Sequence, residues 1–328
     1  MTLLLSRRDV ERLLVPELCI EAVEDAFRAL GHRTVPPPGT LGMHGDEGSF
    51  HVKAGFLGSF FAAKLNANFP RNGERFGLPT IQGAVILSDA TKGTPLAIMD
   101  SISITALRTA AASAVAAKHL ANPICKTLLI CGCGGQAWAQ VEAIVQVRHP
   151  ARIYAYDQDP QKARSFAGAL AAELPIDAAP VTDLEGAVAA SDIVVTCTTA
   201  RRYFISHHMV RPGTFIAAVG ADSENKQEID PRLMASAKVV ADLTEQAAAI
   251  GDLHHAIQGG AMTAAAVHAE LADVVAGREP GRTSDEEITI FDSTGTGLQD
   301  VAAAIAAYRE AVRADVGQRI LLSDSETA

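Results

Sequence analysis

The run Thr127-Leu-Leu-Ile-Cys-Gly132-Cys-Gly134-Gly-Gln136-Ala137 joins an apolar strand-like segment to a glycine turn and a helix-like segment. A second apolar run, Arg152–Tyr156, then stops at Asp157. This is the strand–turn–helix–strand context of a dinucleotide fingerprint. Gly132 permits the tight turn, Gly134 lets the backbone approach a pyrophosphate, and Ala137 allows close packing of helix on strand. Gln136 stands at the mouth of the helix, whose free N–H groups and positive dipole end suit phosphate oxygens. Asp157 is placed to accept both hydroxyls of the adenosine ribose. Asp157 and Asp159 would oppose a 2′-phosphate, and the nearest bases, Lys162 and Arg164, fall inside the following helix. The expected cofactor is therefore NAD rather than NADP.

Ligands of an open parallel sheet lie beyond the carboxyl ends of its strands. Thr196-Cys-Thr-Thr199, Gly220-Ala-Asp222, Asp242 and Asp292 all follow apolar runs there. Thr199 and Gly220 are candidate cofactor contacts, and Asp222 is a candidate catalytic carboxylate. Asp242 and Asp292 also read as caps or turn residues. Two cations precede the fingerprint. Lys64 is embedded in the uncharged run Phe60-Phe-Ala-Ala-Lys64-Leu-Asn-Ala-Asn-Phe69, where a charge needs a task or an exit to solvent. Arg108 lies among small residues of an alanine-rich helix, and its guanidinium suits a carboxylate ligand. For each, a structural salt bridge is the competing reading. Metal chemistry is not expected: His207-His208 and His254-His255 are adjacent pairs without ligand spacing. A serine-nucleophile elbow is absent as well.

These residues need a scaffold. Ser6 to Leu30 reads as two helices, with Ser6 and Asp9 as caps and Ile20, Val23, Phe27 and Leu30 as an apolar stripe. Between Ser49 and Asp100, the runs Phe50–Lys53, Ala62–Asn66, Thr80–Leu87 and Pro95–Met99 are separated by turn signals, which predicts an antiparallel sheet. Thr105 to Ala121 predicts a helix that stops at Asn122-Pro123. Beyond it, strands at Leu128–Cys131, Ile153–Tyr156, Ile193–Thr196, Phe215–Val219, Val239–Ala241 and Ile288–Phe291 alternate with helical segments, the pattern of a doubly wound parallel sheet. A helix from Leu298 to Arg313 follows, and the polar tail from Ser323 predicts no ordered structure. The fold class is thus α/β: a Rossmann domain with a doubly wound parallel sheet over residues 123–297, preceded by an α+β domain over residues 1–122.

Composition narrows the function. A chain of 328 residues exceeds what one core readily supports, and 48% hydrophobic content suffices for two. A net charge of −10 without a basic cluster argues against nucleic acid and anionic membranes. Five cysteines, several of them in expected buried strands or turns, suit a reducing compartment. The apolar run at the N-terminus is too short for a signal peptide or spanning helix, so a cytoplasmic location is expected.

The motifs together resemble the ornithine cyclodeaminase/μ-crystallin family over essentially the whole chain. The segments that carry the likeness are Ala63-Lys64-Leu-Asn-Ala-Asn-Phe-Pro70, Gly77-Leu-Pro-Thr80, Leu107-Arg-Thr-Ala-Ala111, Gly132–Ala137, Val219-Gly-Ala-Asp222 and Ile290-Phe-Asp-Ser-Thr-Gly295. Asp285–Gly295 and Val239–Gln246 look most like the archaeal-type alanine dehydrogenase branch. The resemblance implies a homodimer that acts on a small amino or imino acid with NAD, in which the first domain, residues 1–122 completed by a C-terminal helix at 298–322, is the substrate-binding and dimerisation domain. Lys64 would be the active-site lysine, Arg108 the holder of the substrate carboxylate, and Thr109 a contact of the cofactor phosphates. Asp222 would orient water or amine. Where the family has a basic residue after Pro-Pro, this chain has Gly39. Where the family has Met-Pro-Ala, it reads His51-Val-Lys53-Ala-Gly, so His51 and Lys53 are the candidate replacement anchors. The implied reaction is hydride transfer at an amino acid α-carbon, as in alanine dehydrogenase or a ketimine reductase. The alternatives are a cyclodeaminase using NAD catalytically and a non-enzymatic NAD(P)-binding protein of the μ-crystallin kind.

Overall fold

A computed structural model describes residues 1–322, and the polar tail from Ser323 lies outside the described residues. The chain folds into two compact units. One comprises Met1–Arg108 together with the segment from Thr296 onward, and the other comprises Thr109–Gly295. The chain passes between them inside the helix Ser101–Leu120, ahead of the Asn122-Pro123 break, because the alanine-rich helix runs through the boundary without interruption.

The first unit is built on a seven-stranded sheet in the order Gln318–Ile320, Thr2–Leu5, Pro95–Asp100, Ile81–Asp89, Phe60–Asn68, Ser49–Leu57, Gly39–His44. Pairing is antiparallel except between Thr2–Leu5 and Pro95–Asp100, which run parallel. Helix Arg7–Leu13 starts in a capping box, in which the Ser6 hydroxyl accepts from the Asp9 N–H and the Asp9 carboxylate accepts from the Ser6 N–H. The stripe Ile20, Val23, Phe27 and Leu30 is buried on helix Pro16–Gly31.

Alternation along the strands gives the sheet two unlike faces. Ala62, Lys64, Val85, Leu87, Ala97 and Met99 are buried on one. Helix Gly297–Ala314 packs on strands Ser49–Leu57 and Phe60–Asn68 and against Pro16–Gly31. Its first turn approaches very closely: a Cβ on Gly297 would lie 2.4 Å from the Ala54 carbonyl oxygen, so only glycine fits there. The opposite face presents Leu4, Leu41, Met43, Phe50, Phe56, Leu65 and Ile86, all exposed.

The second unit is a doubly wound parallel sheet, as the alternation of apolar runs and helices predicts. Its order is Asp177–Pro180, Arg152–Tyr156, Thr127–Cys131, Ile193–Thr196, Phe215–Ala218, Thr289–Asp292, Lys238–Ala241, Ala269–Glu270, with every pair parallel. The strand order reverses between Thr127–Cys131 and Ile193–Thr196, which makes that crevice the topological switch point. A small parallel pair, Arg201–Ile205 with Gln227–Ile229, lies outside the main sheet. Among the described residues, no helix is long and apolar enough to cross a membrane.

Candidate active site

Strand Phe60–Asn68 points Lys64 to the buried face of its sheet, where the lysine is only 3% exposed. Its Nζ donates to Asp300 Oδ1 at 2.8 Å and to Thr105 Oγ1 at 3.1 Å. The Thr105 hydroxyl gives its own proton to the Ser101 carbonyl, which leaves its oxygen free to accept from the lysine. Arg108 is one helical turn beyond Thr105. Its Nε lies 3.0 Å from the same Asp300 oxygen, and its Nη1 donates to Gln299 Oε1 at 2.6 Å. Lys64 and Arg108 are therefore brought together, and the agent is a residue the sequence reading does not single out. Asp300 sits in the first turn of helix Gly297–Ala314, where an acid reads simply as a partner for the helix dipole. The available signal was a carboxylate amid Val301, Ala302, Ala303 and Ala304 on a buried helix.

Charge tunes this cluster. Burial pulls the Lys64 ammonium down to about 7; Asp300 opposes that shift, while Arg108 and Lys53 reinforce it. Burial alone would raise the Asp300 carboxyl, yet Lys64, Arg108 and Lys53 hold it below the usual carboxylate range. Lys53 is directly across from Lys64 in the strand pairing. His51, two residues earlier on the same face, shares a 2.9 Å hydrogen bond with Ser49 Oγ. Asp300 Oδ2 and Gln299 Nε2 are buried with no hydrogen-bond partner among the described residues, so polar capacity beside Arg108 is left for a ligand.

In the second unit the glycine turn has the form that a pyrophosphate requires. Gly132 adopts φ of 95°, and a Cβ there would lie 2.9 Å from the Cys197 carbonyl oxygen. A Cβ on Gly134 or Gly135 would meet nothing within 4 Å, so the turn is open on its outer side. Gln136 Oε1 is buried without a hydrogen-bond partner among the described residues, and Ala137 begins the helix Ala137–Val147. Asp157 accepts from the Cys133 N–H at 2.9 Å and from the Asp159 N–H at 2.9 Å, which fixes its carboxylate beside the turn. These features fit a dinucleotide. Thr109 is buried in the helix next to Arg108, and Thr199 is exposed after strand Ile193–Thr196. Gly220 is buried, while Asp222 is exposed and ion-paired with Lys226 at 2.6 Å. The carboxylate that neutralises Lys64 is Asp300, and Asp222 is engaged on its own loop. Asp242 and Asp292 are buried and engaged as hydrogen-bond acceptors within their own unit. Asp242 accepts from Leu243 N, Thr294 Oγ1 and Gly295 N, and Asp292 accepts from the N–H groups of Asp252 and Leu253.

A profile of the ornithine cyclodeaminase/mu-crystallin family matches residues 1–315. The chain belongs to that family. It is 38% identical over 323 residues to an alanine dehydrogenase of Archaeoglobus fulgidus, covering 97% of this chain and 98% of that one. Among solved structures, an archaeal alanine dehydrogenase dimer with bound NAD superposes with a TM-score of 0.94 at 36% identity, covering 98% of this chain and 99% of that one. The Thermococcus litoralis Delta(1)-pyrroline-2-carboxylate reductase, in complex with NADH and L-proline, gives 0.92 at 34% identity, covering 97% and 100%. Membership bears out the resemblance read over essentially the whole chain, and the superpositions show that these solved structures share its α/β fold.

Asp300 and Lys64 are one electrostatic unit, so removing the carboxylate has a signed consequence. Asp300→Asn is expected to move the Lys64 titration below its midpoint of about 7, because the group that favours the ammonium form is lost. Lysine-selective NMR titration of the two proteins measures this. An unchanged or raised midpoint in the variant would contradict the coupling.

Proposed function

We propose that the protein is an NAD-dependent oxidoreductase acting on the CH–NH2 or C=N bond of a small amino or imino acid. The observation that carries the reading is the buried Lys64–Asp300–Arg108 cluster, in a family whose members include a dehydrogenase and a reductase of such compounds. The unit containing Lys64 and Arg108 binds the substrate, and the doubly wound unit holds NAD through Gly132, Gly134, Gln136, Ala137, Asp157, Thr199 and Gly220, with Thr109 on its phosphates. When bound there, NAD would supply a hydride acceptor for the substrate α-carbon, and its reduced form a hydride donor for the reverse reaction.

The chain's own residues do the rest. Arg108 pairs with the substrate carboxylate and fixes the orientation of the α-carbon, an effect worth several kcal/mol in well-positioned reactions. Lys53 and His51 lie on the same sheet face and supply the second anchor. As a neutral amine, Lys64 takes the proton released from the substrate nitrogen as the C=N bond forms; as an ammonium, it gives that proton back in the reverse direction. Asp222, whose carboxylate is paired with Lys226 on its own loop, is the candidate for orienting water or the departing amine. The carboxylates Asp157 and Asp159 select NAD over NADP.

Two further features complete the proposal. The exposed apolar face formed by Leu41, Met43, Phe50, Phe56, Leu65 and Ile86 is larger in character than scattered surface residues, and it supports a homodimer formed through this sheet. All five cysteines are free thiols, which suits a reducing cytoplasm.

Product analysis separates net oxidation from cyclodeamination and from ligand storage. With a screen of small amino acids, NADH is expected to accumulate in proportion to the imino or keto product. Product without accumulating NADH would reveal a cyclodeaminase, and binding of NAD without turnover would sink the enzymatic reading. Sedimentation equilibrium tests the assembly: the wild-type protein is expected to be a dimer, and Ile86→Lys to shift it toward monomer. A wild-type monomer would exclude the interface.

A further inference from the structure

Glu228 is fully buried, and neither the cofactor turn nor the substrate cluster uses it. It lies on the short strand Gln227–Ile229, and its carboxylate accepts four hydrogen bonds from two loops. Oε2 accepts from Thr196 Oγ1 at 2.6 Å and from the Gly220 N–H at 2.8 Å. Oε1 accepts from the Thr198 N–H at 2.7 Å and from Thr198 Oγ1 at 2.6 Å. The acceptor capacity of an ionised carboxylate is thereby filled.

The two loops are those that follow strands Ile193–Thr196 and Phe215–Ala218. In the sheet order, strand Thr127–Cys131 has Arg152–Tyr156 and Asp157 on one side and these two strands on the other. Asp157 marks the adenosine side, so the loops at Thr198 and Gly220 border the half of the crevice that receives the nicotinamide end. Packing there is tight. A Cβ on Gly220 would lie 2.4 Å from Glu228 Oε1 and 2.4 Å from the Thr198 carbonyl oxygen, and a Cβ on Gly132 would lie 2.9 Å from Thr198 Cγ2. Glu228 is itself held in place: Asp252 Oδ1 accepts from the N–H groups of Glu228 and Ile229 at 2.8 and 2.9 Å, and Asp292 accepts from those of Asp252 and Leu253 at 3.3 and 2.8 Å.

We propose that Glu228 is the positioning residue that shapes the nicotinamide half of the NAD site, acting through the Thr196–Thr199 and Gly220–Asp222 loops. The inference rests on the NAD reading above. It requires a carboxylate specifically. Each Glu228 oxygen receives one backbone N–H, and a backbone N–H cannot reverse its direction as a hydroxyl can. A glutamine would set its amide N–H groups against either Thr198 N or Gly220 N, whichever way it is turned, leaving a buried donor unpaired.

The test compares binding of NAD with binding of ADP-ribose, which lacks the nicotinamide, by titration calorimetry on the full chain. Glu228→Gln is expected to weaken NAD by roughly ten-fold or more, the scale of one unpaired buried donor, while ADP-ribose affinity stays within about two-fold. Thr196→Val, which deletes one donor and keeps both backbone N–H groups paired, is expected to weaken NAD less and to leave ADP-ribose unchanged. Equal losses for both ligands in either variant, or unchanged NAD binding in Glu228→Gln, would overturn the proposal. Wild-type protein that binds neither ligand would instead overturn the NAD reading, and this proposal with it.

Discussion

The first unit turns on one shared oxygen. Asp300 Oδ1 lies 2.8 Å from Lys64 Nζ and 3.0 Å from Arg108 Nε, and all three side chains are buried. The groups come from a strand, a helix and the C-terminal helix, which are far apart in sequence, so the pairing fixes how these three elements meet. Removing one member of a buried pair leaves an uncompensated charge at a cost of about 3–5 kcal/mol, whereas a well-packed apolar set of similar volume is often as stable or more so. Stability alone does not call for charges here. Burial, with Arg108 nearby, draws the Lys64 ammonium down to about 7 while Asp300 restrains that shift and holds the arginine, an arrangement suited to proton transfer beside a carboxylate substrate. The close seat of Gly297 on Ala54 serves the same end, because it sets the depth at which Asp300 enters.

The second unit uses carboxylates differently. Glu228, Asp242, Asp252 and Asp292 are all buried near the carboxyl ends of the parallel strands, and their hydrogen bonds go mainly to backbone N–H groups and threonine hydroxyls. Burial raises the Asp292 carboxyl to about 7, pushes Asp252 well above the usual range, and raises Glu228. These groups act as staples between loops that the parallel sheet leaves unpaired. The loops are thereby rigid where a ligand must meet them, which limits the ordering cost of binding.

Much of this was legible in the sequence because it is local. The glycine turn with Asp157 is one contiguous strand–turn–helix–strand segment, and the doubly wound sheet follows from regular alternation. Lys64 and Arg108 stood out as charges in uncharged surroundings. Strands Gly39–His44, Asp177–Pro180 and Ala269–Glu270 did not, since they are edge strands, short or largely exposed. The parallel pairing of Thr2–Leu5 with Pro95–Asp100 is non-local and leaves no sequence trace. Asp300 was hidden by the ordinary role of an acid in a first helical turn. Glu228, in the polar run Asn225-Lys-Gln-Glu-Ile-Asp230, looks like surface charge until its partners at Thr196, Thr198 and Gly220 are folded against it.

The proposed mechanism gives the proton transfer of amino acid oxidation to a buried lysine, Lys64, tuned by Asp300. Its most direct measurement is kcat for NADH formation from an accepted amino acid between pH 5 and pH 9, compared in wild type and Lys64→Met. The wild-type rate is expected to rise with pH through a midpoint of about 7, as Lys64 loses its proton, and the variant to lack this limb and be severely slowed. A wild-type profile that falls or stays flat through this range, or the same rising limb retained in Lys64→Met, would contradict it.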